Sequence, residues 1–162
     1  MAKEMGEGLG ASQILQREVQ ESYFQRMNSL SIQAVIVWLI MMFAETVHGI
    51  LRALFLVPIV GDLVSRQIGV PVGSLLILIV AFLFAKWIQA KSFKAQVGIG
   101  LFWVFLTVLF EILLGRLVLD LPWSRMIEDY DLTNGGFMIL GLIVMAFSLT
   151  IAEKLHQYLD AA

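Results

Sequence analysis

Four long apolar runs separated by short polar stretches organise this chain, at residues 30–57, 70–88, 97–119 and 136–152. A ~30 Å hydrocarbon core is crossed by about 20 helical residues, so the pattern predicts four transmembrane helices. The fold class expected is an all-α membrane protein, a four-transmembrane-helix bundle whose connections are too short to form an outer domain. The first run exceeds what a bilayer needs and must tilt or project, and Pro58 is placed to end it. Pro71 is placed to open the second helix from its first turn. Trp87 and Trp103 flank the connection between the second and third runs and Trp123 follows the third, as interfacial anchors would. Trp38 is placed to face another helix.

Ahead of the first run, Leu15, Val19, Tyr23, Met27 and Leu30 recur every three or four residues, an apolar stripe on a helix. An N-terminal amphipathic helix is therefore expected within an arm over residues 1–29, with Ser12 as its N-cap and flexible chain around Gly6, Gly8 and Gly10. Two readings stay open: a helix lying on the membrane or the bundle, and a straight extension of the first spanning helix. The four-helix domain then covers 30–155 and a cytoplasmic tail 156–162. Glu4, Glu7, Glu18 and Glu21 make the arm unlike a secretory signal or a transit peptide, so the first apolar helix directs insertion. By the same pattern, residues 122–127 form a short helix at the outer surface.

Composition agrees with the pattern: 59% of residues are hydrophobic and 15% charged, too apolar for a soluble domain of 162 residues. Charge supplies direction. Lys3, Arg17, Arg26, Lys86, Lys91, Lys94 and Lys154 fall on one side, Arg66 and Arg125 on the other, which predicts that both termini are cytoplasmic. The near balance of 11 basic and 13 acidic residues leaves no basic face for nucleic acid. The expected surroundings are a lipid bilayer, with a homo-oligomer or a larger membrane complex as the partners left open.

The candidate chemistry lies inside the membrane. Glu45, His48 and Arg52 stand at i, i+3 and i+7, one polar stripe in the outer half of the first helix. Glu111 lies at similar depth on the third helix, with Thr107 and Gly115 on its face and Arg116 turned away. A charge near the bilayer centre costs roughly 2.5 to 3.5 kcal/mol on insertion scales, so these groups must pair, neutralise or face water. The simplest pairing sets Arg52 against Glu111 and Glu45 beside His48, with Arg116 left for Glu45 or a headgroup. Glycines four residues after each glutamate, Gly49 and Gly115, would let helices approach closely. Asp62, Arg66, Arg125 and Asp129 are secondary candidates on the outer face. An offset of 66 aligns Glu45 with Glu111, Gly49 with Gly115, Asp62 with Glu128 and Gly69 with Gly135, a weak half-chain repeat that suits a pseudo-twofold bundle.

Other chemistries have little support. With no cysteine, thiolate metal sites, iron–sulfur clusters and disulfides are absent. His48 and His156 belong to opposite membrane faces and cannot share a haem within one chain, and His48 with Glu45 is an incomplete zinc set, so no metal and no cofactor are expected. Neither a nucleophile elbow nor a phosphate loop is present. The stretch 44–62, followed by SRQIGV, FEILLGR and EDYDLTNGG, resembles a group of small bacterial integral membrane proteins without an assigned function. That resemblance covers residues 35–155 and implies a multi-pass fold and a bacterial inner-membrane location, but transfers no functional residue. Three roles remain for the cluster: a proton-coupled or small-solute pathway, glue within an accessory or scaffold subunit, and an outward-facing enzyme with His48 as base oriented by Glu45. An enzyme is the least favoured.

Overall fold

The computed structural model describes the backbone of residues 2–161, and side chains from residue 16 onward except residues 22, 23, 26 and 162. Helix α1 runs from Ala2 to Leu51 and passes through a π-helical turn, Arg52–Leu56, into the short α2, Val57–Val60. The other helices are α3 (Asp62–Ile88), α4 (Phe93–Leu113, continued by a π turn Leu114–Val118), α5 (Trp123–Glu128) and α6 (Met138–Ala161). Among the described residues, four helices are long and apolar enough to span a membrane: Met27–Val60, Asp62–Ile88, Phe93–Val118 and Met138–Ala161. The protein is an all-α four-helix membrane bundle. Side chains such as Phe43, Leu83 and Phe105 are more than 60% exposed on its outside, an arrangement that hydrocarbon tolerates and water does not.

The arm is the helical extension of the first span rather than a separate element. Good helix formers such as Ala, Glu, Leu, Gln and Lys outnumber the glycines, and helix runs through Gly6, Gly8 and Gly10, leaving Ser12 an interior position rather than a cap. The whole of α1 is about 75 Å long at 1.5 Å per residue, well beyond one bilayer. Of the apolar stripe, the Leu15 and Tyr23 side chains lie outside the described residues, Met27 is exposed, and Leu30 packs against the core.

Helix boundaries follow backbone chemistry more than hydropathy. Gly61 takes φ +80°, which separates α2 from α3, and α3 starts at Asp62 because its polar first turns find partners of their own. Pro71 is consequently inside α3, not in its first turn. Pro58 does not stop the first helix directly. It lacks an N–H and would crowd the carbonyl four residues back, and the chain widens into a π turn ahead of it, with Val57 N–H bonded to Arg52 O.

The core lies between α1, α3, α4 and α6, around Val37, Met41, Ile77, Ala81, Ala85, Trp103, Met145 and Leu149. Trp103 is fully buried and donates to Ala34 O at 2.8 Å, so it is a core residue and not an interfacial anchor. Trp38 does face another helix, donating to Thr107 Oγ1 at 3.1 Å. Gly100 of α4 is pressed onto the Ala146 backbone of α6, where any Cβ would collide with the carbonyl. The small stripe Gly69, Gly73, Ala81 and Ala85 faces inward on α3, and Ser148 and Ala152 do so on α6.

Candidate functional site

Helix period places the polar stripe of α1 along a groove that α3 creates by omitting side chains. Ser65, Gly69 and Gly73 are buried at successive four-residue steps. Over Gly73 lies the Glu45 carboxylate: a Cβ there would stand 2.7 Å from Oε2 and 3.1 Å from Oε1. Over Gly69 lies Arg52, whose Cδ would be 2.9 Å from such a Cβ, with His48 Cε1 at 3.7 Å. These glycines make room for polar side chains, so the cluster is seated in the bundle and not exposed to lipid alone.

Within the groove His48 Nδ1 stands 3.4 Å from Glu45 Oε2, as expected. The buried Glu45 Oε1 has no hydrogen-bond partner among the described residues. Arg52 does not pair with Glu111. It donates to Ser65 Oγ at 2.9 Å and lies 3.9 Å from Asp62 Oδ1, because its side chain runs along Gly69 towards the membrane surface. Arg116 is also unavailable to Glu45: it donates to Leu121 O at 2.6 Å and stacks 5.3 Å from the Trp123 ring centre. Both presumptive counter-charges are thus directed outward.

Glu111 instead accepts a hydrogen bond from Tyr130 Oη at 2.8 Å. Its carboxylate is close enough to those of Glu45 and Asp129 to be repelled by both. The half-chain repeat expected from the sequence pairs these two glutamates. The π turns do not keep its register, one starting seven residues after Glu45 and the other three after Glu111. Of the glycines after the glutamates, Gly49 has open space where a Cβ would be, and Gly115 is covered by Met126 of the short α5, so neither mediates contact between spanning helices.

Tyr130 was not visible as a site residue in the sequence. It lies in the connection between α5 and α6, where composition marks only a polar loop. Burial and the neighbouring Glu111 carboxylate push its phenol well above the usual tyrosine range, because both disfavour a phenolate. The acidic EDYD context, directly after an outer helix, is the one signal that could have pointed to it.

The secondary candidates form one ion-pair network between α3 and the segment that follows α4. Asp62 Oδ2 lies 3.2 Å from Arg66 Nε and 3.1 Å from Arg125 Nη2. Asp129 Oδ1 pairs with Arg66 and, at 3.3 Å, with Arg125. The Arg66 Nε contact has ion-pair distance without hydrogen-bond alignment, so Asp129 is the better partner of that guanidinium.

Comparison with family models, curated proteins and solved structures finds no match. Function must be argued from the site. Among the described residues no group of three or more His, Asp or Glu is placed to hold a metal ion. His156 lies at the other end of the bundle, stacked 4.0 Å from the Phe82 ring and donating from Nε2 to Phe82 O at 2.9 Å. What the arrangement offers is two carboxylates, an imidazole and a phenol in one region of the bundle while Arg52 and Arg116 are engaged elsewhere, a set able to hold and exchange a proton.

Proposed function

We propose that the chain binds a proton at the Glu45–Glu111 pair as part of proton-coupled translocation of a small solute. One observation carries this reading: Glu45 has a buried oxygen without a donor while Arg52 and Arg116 are both committed elsewhere. An uncompensated carboxylate at membrane depth is expensive, so the pair calls for a mobile positive partner. His48, 3.4 Å from Glu45, offers an imidazole as exchange partner. Inward of the pair, Thr107, Trp38, Trp103, Met41, Met145 and Leu149 fill the bundle centre, so passage requires a second conformation, as in alternating access. The proposed location is the bacterial inner membrane with both termini cytoplasmic, supported by the basic residues at the α3–α4 connection and in the arm.

The test is proton uptake by liposomes containing the purified protein, followed with a trapped pH-sensitive dye under an imposed potential. Glu45→Gln and Glu111→Gln should each lower the wild-type rate by at least about tenfold, the typical scale for losing a proton-transfer group. Wild-type flux equal to that of protein-free liposomes would sink the proposal.

A second reading, an accessory subunit of a larger membrane complex, draws on a different feature. In the arm, Phe24 and Met27 are 69% and 61% exposed on a helix that projects beyond the bundle, a surface suited to a partner. Affinity purification from native membranes with and without residues 2–26 separates the readings. A stoichiometric partner lost on truncation favours the subunit.

A further inference from the structure

The segment between α4 and α6 has two faces with different attachments. Its underside meets α4 through residues four apart on each element: Met126 covers Gly115, and Tyr130 bonds Glu111. Its other attachments are to α3. Asp129 binds Arg66, Arg125 reaches Asp62, and Gln67 donates to Gly135 O at 3.3 Å. The segment therefore bridges α4 to α3 and covers Glu111. At its ends the backbone leaves ordinary conformations, with φ +48° at Asp120 and +84° at Gly135. Its second half is tied to the start of α6 across Gly135: Gly136 N–H bonds Asp131 O, Met138 N–H bonds Asp129 O, and the Gly136 position is so tight against Glu128 and Asp129 that no Cβ would fit, so residues 128–138 form one piece.

We infer that residues 120–135 form a lid over the Glu45–Glu111 site, latched by the Asp129–Arg66–Arg125–Asp62 network, with Tyr130 as the positioning residue that closes on Glu111. The segment is anchored at its two ends, where Leu121 N–H bonds Gly115 O, Arg116 holds Leu121 O and Trp123, and Met138 N–H bonds Asp129 O; between them it is held by the ion pairs, the Gln67 bond, the Met126 contact and one phenolic hydrogen bond, which can release without disturbing the apolar core deeper in the bundle. The lid accounts for three features that a static connection does not require: a tyrosine directed down into the membrane, a glycine kept bare beneath a flexible methionine, and an arginine–aspartate ring spanning two helices. The inference builds on the proposed proton site, but its test reads access to the site and not transport, so either can fail alone.

The cysteine-free chain makes that test direct. Gly115→Cys places a thiol under Met126, whose flexible side chain can shift by the few tenths of an ångström needed. Its reaction with a membrane-impermeant maleimide added from outside should be slow in the latched protein and rise about tenfold or more with Asp129→Asn, as expected for losing one latch of about 1.4 kcal/mol. Ala85→Cys, in the core, serves as the control and should stay unreactive. An unchanged rate at position 115 overturns the lid, and so does an equal rise at position 85, because the network would then be holding the whole bundle. A second variant uses the pair Gly115→Cys/Met126→Cys, in which a Cβ at 115 lies 3.8 Å from Met126 Cγ. Oxidation should abolish labelling of a Glu45→Cys reporter, at the site beneath the lid, opened by Asp129→Asn, and reductant should restore it. Labelling that ignores oxidation contradicts the lid.

Discussion

Tyr130 donates its phenolic hydrogen to Glu111 across 2.8 Å, joining the loop after α5 to a spanning helix. The contact links the only tyrosine between the spans to one of two carboxylates that lack an arginine. Removing it with Tyr130→Phe should cost about 1 kcal/mol of stability, typical of a hydrogen bond to a carboxylate lost with little change of shape. Thermal unfolding in detergent measures that cost. A larger effect on proton uptake than on unfolding would place the hydroxyl in function.

The same phenol makes a pH prediction. Its proton is held above the ordinary tyrosine range in the fold, so its stabilising contribution is complete below about pH 10 and declines as pH rises towards the folded value. The phenolate absorbance of Tyr130, taken as wild type minus Tyr130→Phe, should therefore be missing at pH values where free tyrosine is ionised. Ordinary titration in the difference spectrum would contradict the burial argument.

Three glycines should respond differently to alanine. At Gly73 the new methyl meets Glu45 Oε2 at 2.7 Å, so Gly73→Ala should displace the carboxylate and reduce activity by more than it reduces stability. At Gly100 the obstacle is the Ala146 backbone, and Gly100→Ala should cost about 1–3 kcal/mol as α4 and α6 are forced apart. At Gly49 a Cβ meets open space, and Gly49→Ala should be neutral or stabilise by up to about 1 kcal/mol through helix propensity. Unfolding midpoints for the three variants in one detergent give the ranking.

Thr107 is held between Trp38 Nε1 at 3.1 Å and the Met145 sulfur at 3.4 Å. Thr107→Val preserves shape but leaves the indole N–H buried without an acceptor, which should cost about 1–3 kcal/mol. Thr107→Ser retains the oxygen and should cost less. A larger cost for Thr107→Ser than for Thr107→Val would show that the methyl group matters more than the hydroxyl.

Asp131 caps the short turn Leu132–Asn134, accepting from Thr133 N and Oγ1 and from Asn134 Nδ2 at 2.9, 2.6 and 2.7 Å. Those donors hold its carboxyl below the usual aspartate range. Its contribution is therefore present above about pH 4, the unfolded value, and lost as pH falls through the lower folded one. A carbon-detected NMR titration of Asp131 should show a midpoint below that of a model peptide.

The sequence by itself determined the number of spans and the all-helical class, because a bilayer admits few architectures and hydropathy and helical period are local properties. It also placed His48 beside Glu45, since residues three apart on one helix need no partner to meet. Which arginine meets which acid was decided only by tertiary structure. Arg52 and Arg116 have long, flexible side chains, and the nearest acceptors, Ser65 with Asp62 and the Leu121 carbonyl, come from segments whose position depends on how the helices pack. Trp103 became core and not anchor for the same reason, and Gly69 and Gly73 became a seat for charged groups. The contact between Tyr130 and Glu111 joins a loop to a helix 19 residues earlier, and no periodicity encodes it, because only the folded outer loop brings the phenol down to the carboxylate.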